Sequence, residues 1–331
     1  MKSADKLRSI SEKGSLLILS LWIFLLLGLL AMSLAFRARL ETRITKIREA
    51  TGPIPYAALS AVNLGRAALE SDKEPEIDSR SDAWFGKNRG DARLPFVISI
   101  EDEESKINLN TVPPHVLENF FRAIRKEIRL TSHPDDWVAG ILYWRGSSWI
   151  KKGAEKGVYY KKEPFESLDE LLLIPGTRPE DAALLKPYFT VFPQGRSSPF
   201  KVNINTASDI LLRVLIESLP GDAQARDRLS EQIQKFREGK LRASKTFSRN
   251  YFLTEDLTAE TLLSRLQLAS TSSLTALAIQ LVSYVTVDSE YFTVRAALPE
   301  DTLKGYGVEA ILGPGSGGDE NDLTCLSWQR I

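Results

Sequence analysis

The stretch SEKGSLLILSLWIFLLLGLLAMSLAF spans residues 11–36 and decides the fold class of this 331-residue chain. A charged leader ends at Gly14, and the 22 residues from Ser15 to Phe36 carry no charge. At a rise of about 1.5 Å per residue, a helix of that length extends about 33 Å, enough to cross a bilayer core of about 30 Å. The sequence therefore predicts a transmembrane helix over residues 15–36, followed by a soluble part.

Three interpretations of this N-terminal segment compete. It is a plain signal anchor, a cleaved secretory signal with Ser33-Leu34-Ala35 as a loose cleavage site, or a leader of the type IV pilin kind, cut between Gly14 and Ser15. The apolar run exceeds the usual signal-peptide length of about 7–15 residues. A glycine at the boundary, after Lys13 and before a small residue, favours the pilin-like leader.

The helical pattern continues beyond the membrane. RARLETRITKIREATG, residues 37–52, contains good helix formers and has no Pro or Gly before Gly52. Basic residues flank the apolar run on both sides, so the positive-inside rule gives no orientation. They are Lys2, Lys6, Arg8 and Lys13 before it and Arg37, Arg39, Arg43, Lys46 and Arg48 after it.

Composition excludes several classes of function. The 43 basic and 43 acidic residues balance, whereas a nucleic-acid-binding protein usually has a basic excess. A single cysteine, Cys325, rules out an internal disulfide, and two histidines are too few for a His-rich metal site. The chain has no GxSxG, P-loop or CxxC motif, so we expect no enzyme.

The order of patterns predicts an α+β fold. Phe96, Ile98 and Ile100 alternate like a strand, residues 111–269 are mostly helical, and β-like runs return at 289–300, 306–312 and 323–331. The simplest architecture is an antiparallel sheet with a large all-α domain inserted between its strands. We divide the chain into a leader (1–14), a transmembrane helix (15–36), a stalk with the first part of the α/β domain (37–105), the insert (106–275) and C-terminal strands (276–331).

An internal repeat lies within the insert. KINLNTVPPHVL (106–117) matches KVNINTASDIL (201–211), about 95 residues further on. Either Asn or Thr at the end of each motif is a natural helix N-cap, because its side-chain oxygen can accept from the first free N–H groups. The repeated positions are Asn108, Asn110 and Thr111 in the first segment and Asn203, Asn205 and Thr206 in the second.

Segments of the INLNTA type also open helix-hairpin-helix modules, including that of the competence DNA receptor. Such modules hold DNA phosphates on glycine-rich turns with exposed N–H groups. The turns that follow here are poor in glycine; LIESLPGDAQARD, for example, has one. A membrane-anchored DNA-binding protein is therefore the alternative function, and capping of structural helices is the preferred role of the repeat.

Taken together and in order, the segments resemble the minor pseudopilin K of type II secretion systems (general secretion pathway protein K). The resemblance covers nearly the whole chain. It rests on the Gly14 junction, KINLNT, ILYWRG, GAEKGVYY (153–160), FESLDELLLIPG (165–176), VNINTAS (202–208), SEYFTV (289–294) and LSWQR.

The resemblance implies a pilin-like long N-terminal transmembrane and stalk helix packed on an antiparallel sheet. It implies a non-enzymatic, single-pass inner-membrane protein with its C-terminal domain in the periplasm, cleaved by prepilin peptidase and methylated. The implied partners are I-like and J-like minor pseudopilins, the major pseudopilin, the inner-membrane assembly platform and membrane lipid. With them, a K-like subunit forms the pseudopilus tip and starts assembly for export of folded proteins across the outer membrane.

Two positions in the apolar run bear on this role. Most pilin-like proteins have Glu at the fifth mature position, which is Leu19 here if Ser15 is the first. A carboxylate in the membrane is kept only where it is paired, and the resemblance explains its absence by a position at the tip. Gly28 would allow close approach of another helix.

The resemblance also implies a calcium site in the loop that follows ILYWRG. Calcium takes about 6–8 oxygen ligands, several from carboxylates. The loop here has Lys151 and Lys152 in place of acidic residues, and only Glu155 remains. We therefore expect no cofactor, the calcium site being degraded. The basic aromatic segment from Lys151 to Lys162 is a hypothetical docking site for an acidic partner.

Overall fold

A computed structural model describes residues 2–51, 54–87, 96–125, 127–131, 133–147, 160–194, 199–241, 249–298, 307–315 and 323–331. In the first helix, side chains are described from residue 16 to residue 46. The chain divides into two compact units, Met1–Leu59 and Ser60–Ile331, each described by itself.

The first unit is dominated by one helix, α1 (Lys2–Thr51), which is 50 residues long. Within its stretch Leu16–Lys46, a window of 18 residues reaches a mean hydropathy of 2.6, and the stretch is long and apolar enough to cross a membrane by length and composition. The helix passes the end of the apolar run without a break, as the pattern of residues 37–52 predicts. It ends just before the Gly52-Pro53 pair, since a residue preceding proline is disfavoured in helical conformation.

The other elements follow in chain order. First come α2 (Ile54–Glu70), β1 (Gly86–Lys87) and β2 (Val97–Asp102). Between β2 and the C-terminal strands lie β3 (Ile107–Asn108), α3 (Pro114–Ile124), α4 (Pro134–Trp144), α5 (Pro179–Leu185), β4 (Phe189–Thr190), β5 (Val202–Asn203), α6 (Asp209–Ser218), α7 (Ala223–Arg237), α8 (Ala259–Arg265), α9 (Ser272–Val282) and β6 (Val285–Thr286). The chain finishes with β7 (Phe292–Ala297), β8 (Gly307–Pro314) and β9 (Leu323–Arg330).

The main sheet is antiparallel throughout and has the strand order β1-β2-β7-β8-β9. Ile98 and Ile100 of β2 are buried and alternate with half-buried neighbours, as the sequence pattern indicates. The part of α2 from Ser60 onward packs on this face: a Cβ built on Gly65 would lie 2.6 Å from Val294 Cγ1 on β7. Such a close approach leaves room only for glycine.

The inserted segment, residues 103–291, joins two adjacent strands, because Asp102 of β2 pairs with Phe292 of β7. It departs from the predicted all-α domain by two short parallel strand pairs, β3 with β4 and β5 with β6. Strands of two residues are too short to show an alternating pattern, which is why the sequence does not reveal them. The boundary predicted between residues 275 and 276 lies inside α9.

The insert has one continuous apolar core. It includes the stacked rings of Phe121 and Trp137, 6.1 Å apart, and Phe120 against Phe189 at 5.1 Å. The same core continues to Leu277 and Leu281 of α9. Both repeated segments therefore share a single interior.

Candidate functional sites

The apolar part of α1 presents its whole surface outward within the first unit. Every side chain from residue 16 to residue 46 is exposed there, including Leu19 at 57%. Near the start of this stretch, the hydroxyl of Ser20 donates to the carbonyl of Leu17 at 2.8 Å and is thereby satisfied without a partner chain. A Cβ on Gly28 would meet no atom within 4 Å, so this position is open to a neighbouring helix.

The predicted cleavage site lies at the edge of what the structure describes. Gly14 and Ser15 fall within α1, but their side chains lie outside the described residues. Cleavage between them therefore stays a prediction. Whether or not the chain is cleaved there, residues 15–36 contain no acidic residue.

The first repeated segment is fixed by its two asparagines. Asn108 Oδ1 accepts from the N–H of Asn110 at 2.8 Å, and Asn108 Nδ2 donates to the carbonyl of Pro193 at 3.0 Å. Asn110 holds both backbone groups of Phe165: Oδ1 accepts from its N–H at 2.7 Å, and Nδ2 donates to its carbonyl at 3.0 Å. This amide thus closes a loop of 55 residues.

The second repeated segment has the same arrangement. Asn203 Oδ1 accepts from the N–H of Asn205 at 2.9 Å, and Asn203 Nδ2 donates to Ser289 Oγ at 2.9 Å. Asn205 holds both backbone groups of Phe252, at 2.8 Å for its N–H and 3.0 Å for its carbonyl. The match shows that the repeat in sequence is also a repeat in side-chain function.

The predicted capping role of these residues is wrong. The N-cap of α3 is Pro113, which forms no side-chain cap bond, and the N-cap of α6 is Ser208, whose hydroxyl accepts from Leu211 N–H. Asn110 and Asn205 lie too far before the helix starts to cap them. Their amides instead bind backbone groups that no local rule could identify.

Thr111 and Thr206 do not cap these helices either. Thr206 donates its hydroxyl to Asp102 Oδ2, at the end of β2. Thr111 is half-buried, and its side chain forms no hydrogen bond with the described part of the chain. Only Asn108, Asn110, Asn203 and Asn205 therefore act as equivalent pairs.

One arginine at the end of the second helix after each asparagine loop, α4 or α7, supports that loop. Arg145 donates from Nη1 to the carbonyl of Leu109 and from Nη2 to that of Val112, both at 2.8 Å. Arg237 donates from Nη2 to the carbonyl of Ala207 at 2.5 Å. Both guanidinium groups are buried, so the bonds they make stabilise the loops in a medium of low dielectric.

The sequence carries a signal for these two arginines that the search for motifs missed. The first lies in Trp144-Arg145-Gly146, and the second in a similar run that ends at Gly239. Both glycines have left-handed backbone conformations, with φ of 69° and 67°. An aromatic residue, an arginine and a helix-ending glycine mark the same place in both halves.

A buried acidic turn joins the insert to the sheet. Asp102 Oδ1 accepts from Glu104 N–H at 2.7 Å, while Glu104 accepts from the N–H groups of Glu290 and Tyr291 at 3.2 and 3.3 Å. The turn thus binds the outgoing chain after β2 to the returning chain before β7. Both connections of the insert are held at one place.

The same junction contains a buried ion pair. Glu103 Oε1 lies 2.6 Å from Lys106 Nζ and also accepts from Thr293 at 2.5 Å, while its Oε2 accepts from Thr190 at 2.5 Å. Glu103 therefore contacts both the sheet and the insert. Burial raises the pKa of Glu103, but Lys106 and these hydroxyls outweigh it and hold the pKa below its usual value.

Three other carboxyl groups at the junction have pKa values above their usual range. Burial, together with Asp102, raises the pKa of Asp78 to about 9. Burial also raises the pKa of Asp102 to about 6, and burial and Asp102 raise that of Glu104 well above its usual range. Asp78 accepts from Ser289 N–H at 2.7 Å and so joins the preceding loop to the same place.

Loss of the calcium site stays a prediction, because Glu155 lies outside the described residues. Asp72, Asp78 and Asp82 offer oxygens within 4.8 Å of one another, and each carboxylate accepts a hydrogen bond within the protein. Close in sequence to the loop predicted to bind calcium, Lys161 Nζ lies 3.1 Å from Glu170 Oε1. A lysine of the chain itself therefore neutralises this carboxylate.

Part of the basic aromatic segment is described. The ammonium group of Lys161 also lies 3.0 Å from Glu166 Oε1, and Tyr160 packs against Tyr143 with ring centroids 5.3 Å apart. These residues are thus engaged with the insert. The rest of the segment, residues 151–159, lies outside the described residues, and its docking role stays a hypothesis.

No family model matches the chain, and no curated protein matches it in sequence. Among solved structures, a chain of the GspK-GspI-GspJ complex from the enterotoxigenic Escherichia coli type 2 secretion system has a similar fold, with a TM-score of 0.56. The match has 18% sequence identity and covers 87% of this chain and 99% of that chain. The long apolar helix, antiparallel sheet and helical insert thus form a GspK-like α+β pseudopilin fold, as the sequence resemblance predicts.

Proposed function

We propose that this chain is a minor pseudopilin of a type II secretion system. The observation that carries the proposal is the combination of an N-terminal helix that contains 22 uncharged residues, 15–36, with a fold that matches nearly all of the GspK-complex chain. A pilin-like helix anchors the subunit in the inner membrane, and the remaining residues project into the periplasm. Such a subunit acts by binding other subunits, and no catalytic group is needed.

Within that role, we propose a position at the tip of the pseudopilus. The insert between β2 and β7 adds a second body to a pilin-like sheet, where it would obstruct addition of a further subunit. Leu19 stands where a fibre subunit carries a glutamate that pairs with the subunit ahead. A subunit with no neighbour ahead has no use for a carboxylate in the membrane, where its desolvation is costly.

The partners that follow from this role are proposals too. The neighbour's crystal structure is a complex with GspI and GspJ. We propose that I-like and J-like minor pseudopilins form a tip complex with this chain, and that the major pseudopilin and the inner-membrane assembly platform extend it from below. The complex would start pseudopilus assembly for export of folded proteins across the outer membrane.

Intact mass of the membrane-extracted protein tests the proposed processing. The mature protein should lack residues 1–14 and carry a methylated amine on Ser15. A matched variant, Gly14→Leu, should keep the full-length mass, because prepilin cleavage requires a small residue there. A wild-type protein of full length, or one starting near Phe36, would exclude a pseudopilin leader.

Co-purification tests the tip complex. Full-length protein extracted in mild detergent should bring down I-like and J-like subunits in equal amounts. Leu19→Glu should weaken recovery of the complex, because it places an unpaired carboxylate in the apolar helix, while Leu19→Ile should not. Equal recovery of the complex with the wild type and both variants would show that Leu19 does not support a position at the tip.

No observation favours DNA binding as a second function. Asn110 and Asn205, which mark the helix-hairpin-helix resemblance, are 5% and 3% exposed and bind backbone inside the insert. We therefore expect no duplex binding by the full chain at low salt. Binding that weakens steeply as salt is raised would revive the competence-receptor alternative.

A further inference from the structure

Three cations form a stripe on α1 just beyond its apolar part. Arg39, Arg43 and Lys46 follow one another at spacings of four and three residues, which places them on one face of the helix. All three side chains are exposed. They are called the basic stripe here.

Within residues 37–46, no acidic residue neutralises the basic stripe. Glu41 is the one acidic residue between 37 and 46, and it follows Arg37 by four residues on the other side of the helix. Among the side chains described in α1, none forms an ion pair with Arg39, Arg43 or Lys46. Among the described side chains of α1, the stripe therefore presents three positive charges without an acidic partner.

The apolar run fixes the height of this stripe relative to a bilayer. Arg39, Arg43 and Lys46 lie three, seven and ten residues beyond Phe36. At about 1.5 Å per residue, their Cα atoms lie about 4.5, 10.5 and 15 Å past the last apolar residue. The headgroup layer is about 5–7 Å thick on each side, and long basic side chains bend toward it. All three charges thus come within about one Debye length, 8 Å, of the lipid phosphates.

We propose that the basic stripe binds the headgroups of anionic phospholipids in the leaflet at the C-terminal end of the span. Because the basic stripe continues directly from the apolar part of α1, lipid phosphates lie beside these side chains whenever α1 spans a membrane. Each Lys or Arg near an anionic surface strengthens the interaction roughly five-fold. This interaction does not depend on the proposed secretion function.

Spin-labelled lipids in bilayers that contain the full chain test the proposal. In phosphatidylcholine vesicles at low salt, electron paramagnetic resonance should show that labelled phosphatidylglycerol associates with the protein roughly five-fold or more over labelled phosphatidylcholine. The preference should fall toward one in 1 M salt, because salt screens exposed charges. It should also fall toward one in the variant R39Q/R43Q/K46Q.

A matched variant separates the basic stripe from overall charge. R129Q/K201Q/R228Q removes three exposed cations from the second unit and should keep the wild-type preference. A wild-type preference near one would overturn the proposal, as would an equal preference in both triple variants. If R39Q/R43Q/K46Q keeps its lipid preference but no longer co-purifies with other subunits, the stripe binds protein and the proposal is wrong.

Discussion

Asn110 and Asn205 each use one side-chain amide to satisfy both backbone groups of a residue far along the chain. The N–H and carbonyl of Phe165 and Phe252 are buried and have these amides as partners. A buried backbone group that loses its partner costs about 1–3 kcal/mol. Individual asparagines therefore contribute to stability out of proportion to their size.

Replacing either asparagine should test this directly. Asn110→Ala and Asn205→Ala should each lower the free energy of unfolding by about 2–4 kcal/mol, since two buried backbone groups lose their partners. Thr111→Ala is the control and should change it by less than about 0.5 kcal/mol. Urea unfolding of the full chain in detergent, followed by tryptophan fluorescence, gives the values. A larger effect at Thr111 than at Asn110 would restore the capping interpretation.

The raised pKa of Asp78 predicts a pH dependence with a definite sign. The folded state holds this proton to about pH 9, whereas the unfolded state releases it near pH 4. Its stabilising contribution is therefore complete below pH 4 and is lost as pH rises from 4 through 9. The loss is at most about 1.4 kcal/mol per pH unit for one group.

Asp78→Asn removes this titration. The asparagine oxygen can still accept from Ser289 N–H, so the variant should match the wild type at pH 3 and exceed its melting temperature at pH 8. The exposed residue Asp227, changed to Asn, is the control and should leave the pH profile unchanged. A variant less stable than the wild type at both pH values would show that Asp78 is ionised in the folded protein.

At the scale of elements, sequence patterns and structure agree wherever an element buries one face along several turns or residues. The C-terminal strands appear where alternation predicts them, at β7, β8 and β9. The parallel pairs β3–β4 and β5–β6 do not, because pairing between segments more than 80 residues apart leaves no local pattern. In the polar segment between α2 and β1, Asp78 and Ser79 are buried, which its composition does not indicate.

The contact between α2 and β7 depends on Gly65. A methyl group there would come within 2.6 Å of the stiff side chain of Val294, so Gly65→Ala should destabilise the second unit by about 1–3 kcal/mol. Gly65→Ala with Val294→Ala should lose less than the sum of the two single changes, since the second makes room for the first. Thermal unfolding by circular dichroism measures all three. Gly28→Ala, with open space around it, is the control, and additive losses would contradict the close contact.

At the scale of the whole molecule, we expect the sheet to fold without the insert. Its inner face packs on α2 through Gly65, and its outer face carries an ion-pair network in which Arg295 binds Glu101 and Glu309 at 2.6 and 2.5 Å. Because these side chains are charged, that face of the sheet can be exposed to water. The sequence predicts the insertion from the order of its patterns. It does not reveal the acidic junction, because burial of Asp102 and Glu103 follows from how the two chain connections meet.

Excising residues 103–291 should therefore leave a folded sheet. Asp102 and Phe292 are paired neighbours, so an Asn-Gly turn can connect β2 directly to β7 as a hairpin. The shortened chain should insert into membranes, and amides of β7 and β8 should stay protected from hydrogen exchange. Loss of that protection would show that the sheet depends on the insert.

The same shortened chain separates the anchor from the proposed tip function. If the insert is what obstructs addition above this subunit, cells that carry only the shortened chain should contain it in the inner membrane but fail to secrete folded proteins. A second strain that carries Asn205→Ala in the full chain is the matched control, because it weakens the insert without removing it and should secrete at permissive temperature. Normal secretion by the shortened chain would contradict the tip proposal, even if the chain is still cleaved after Gly14 and still folds.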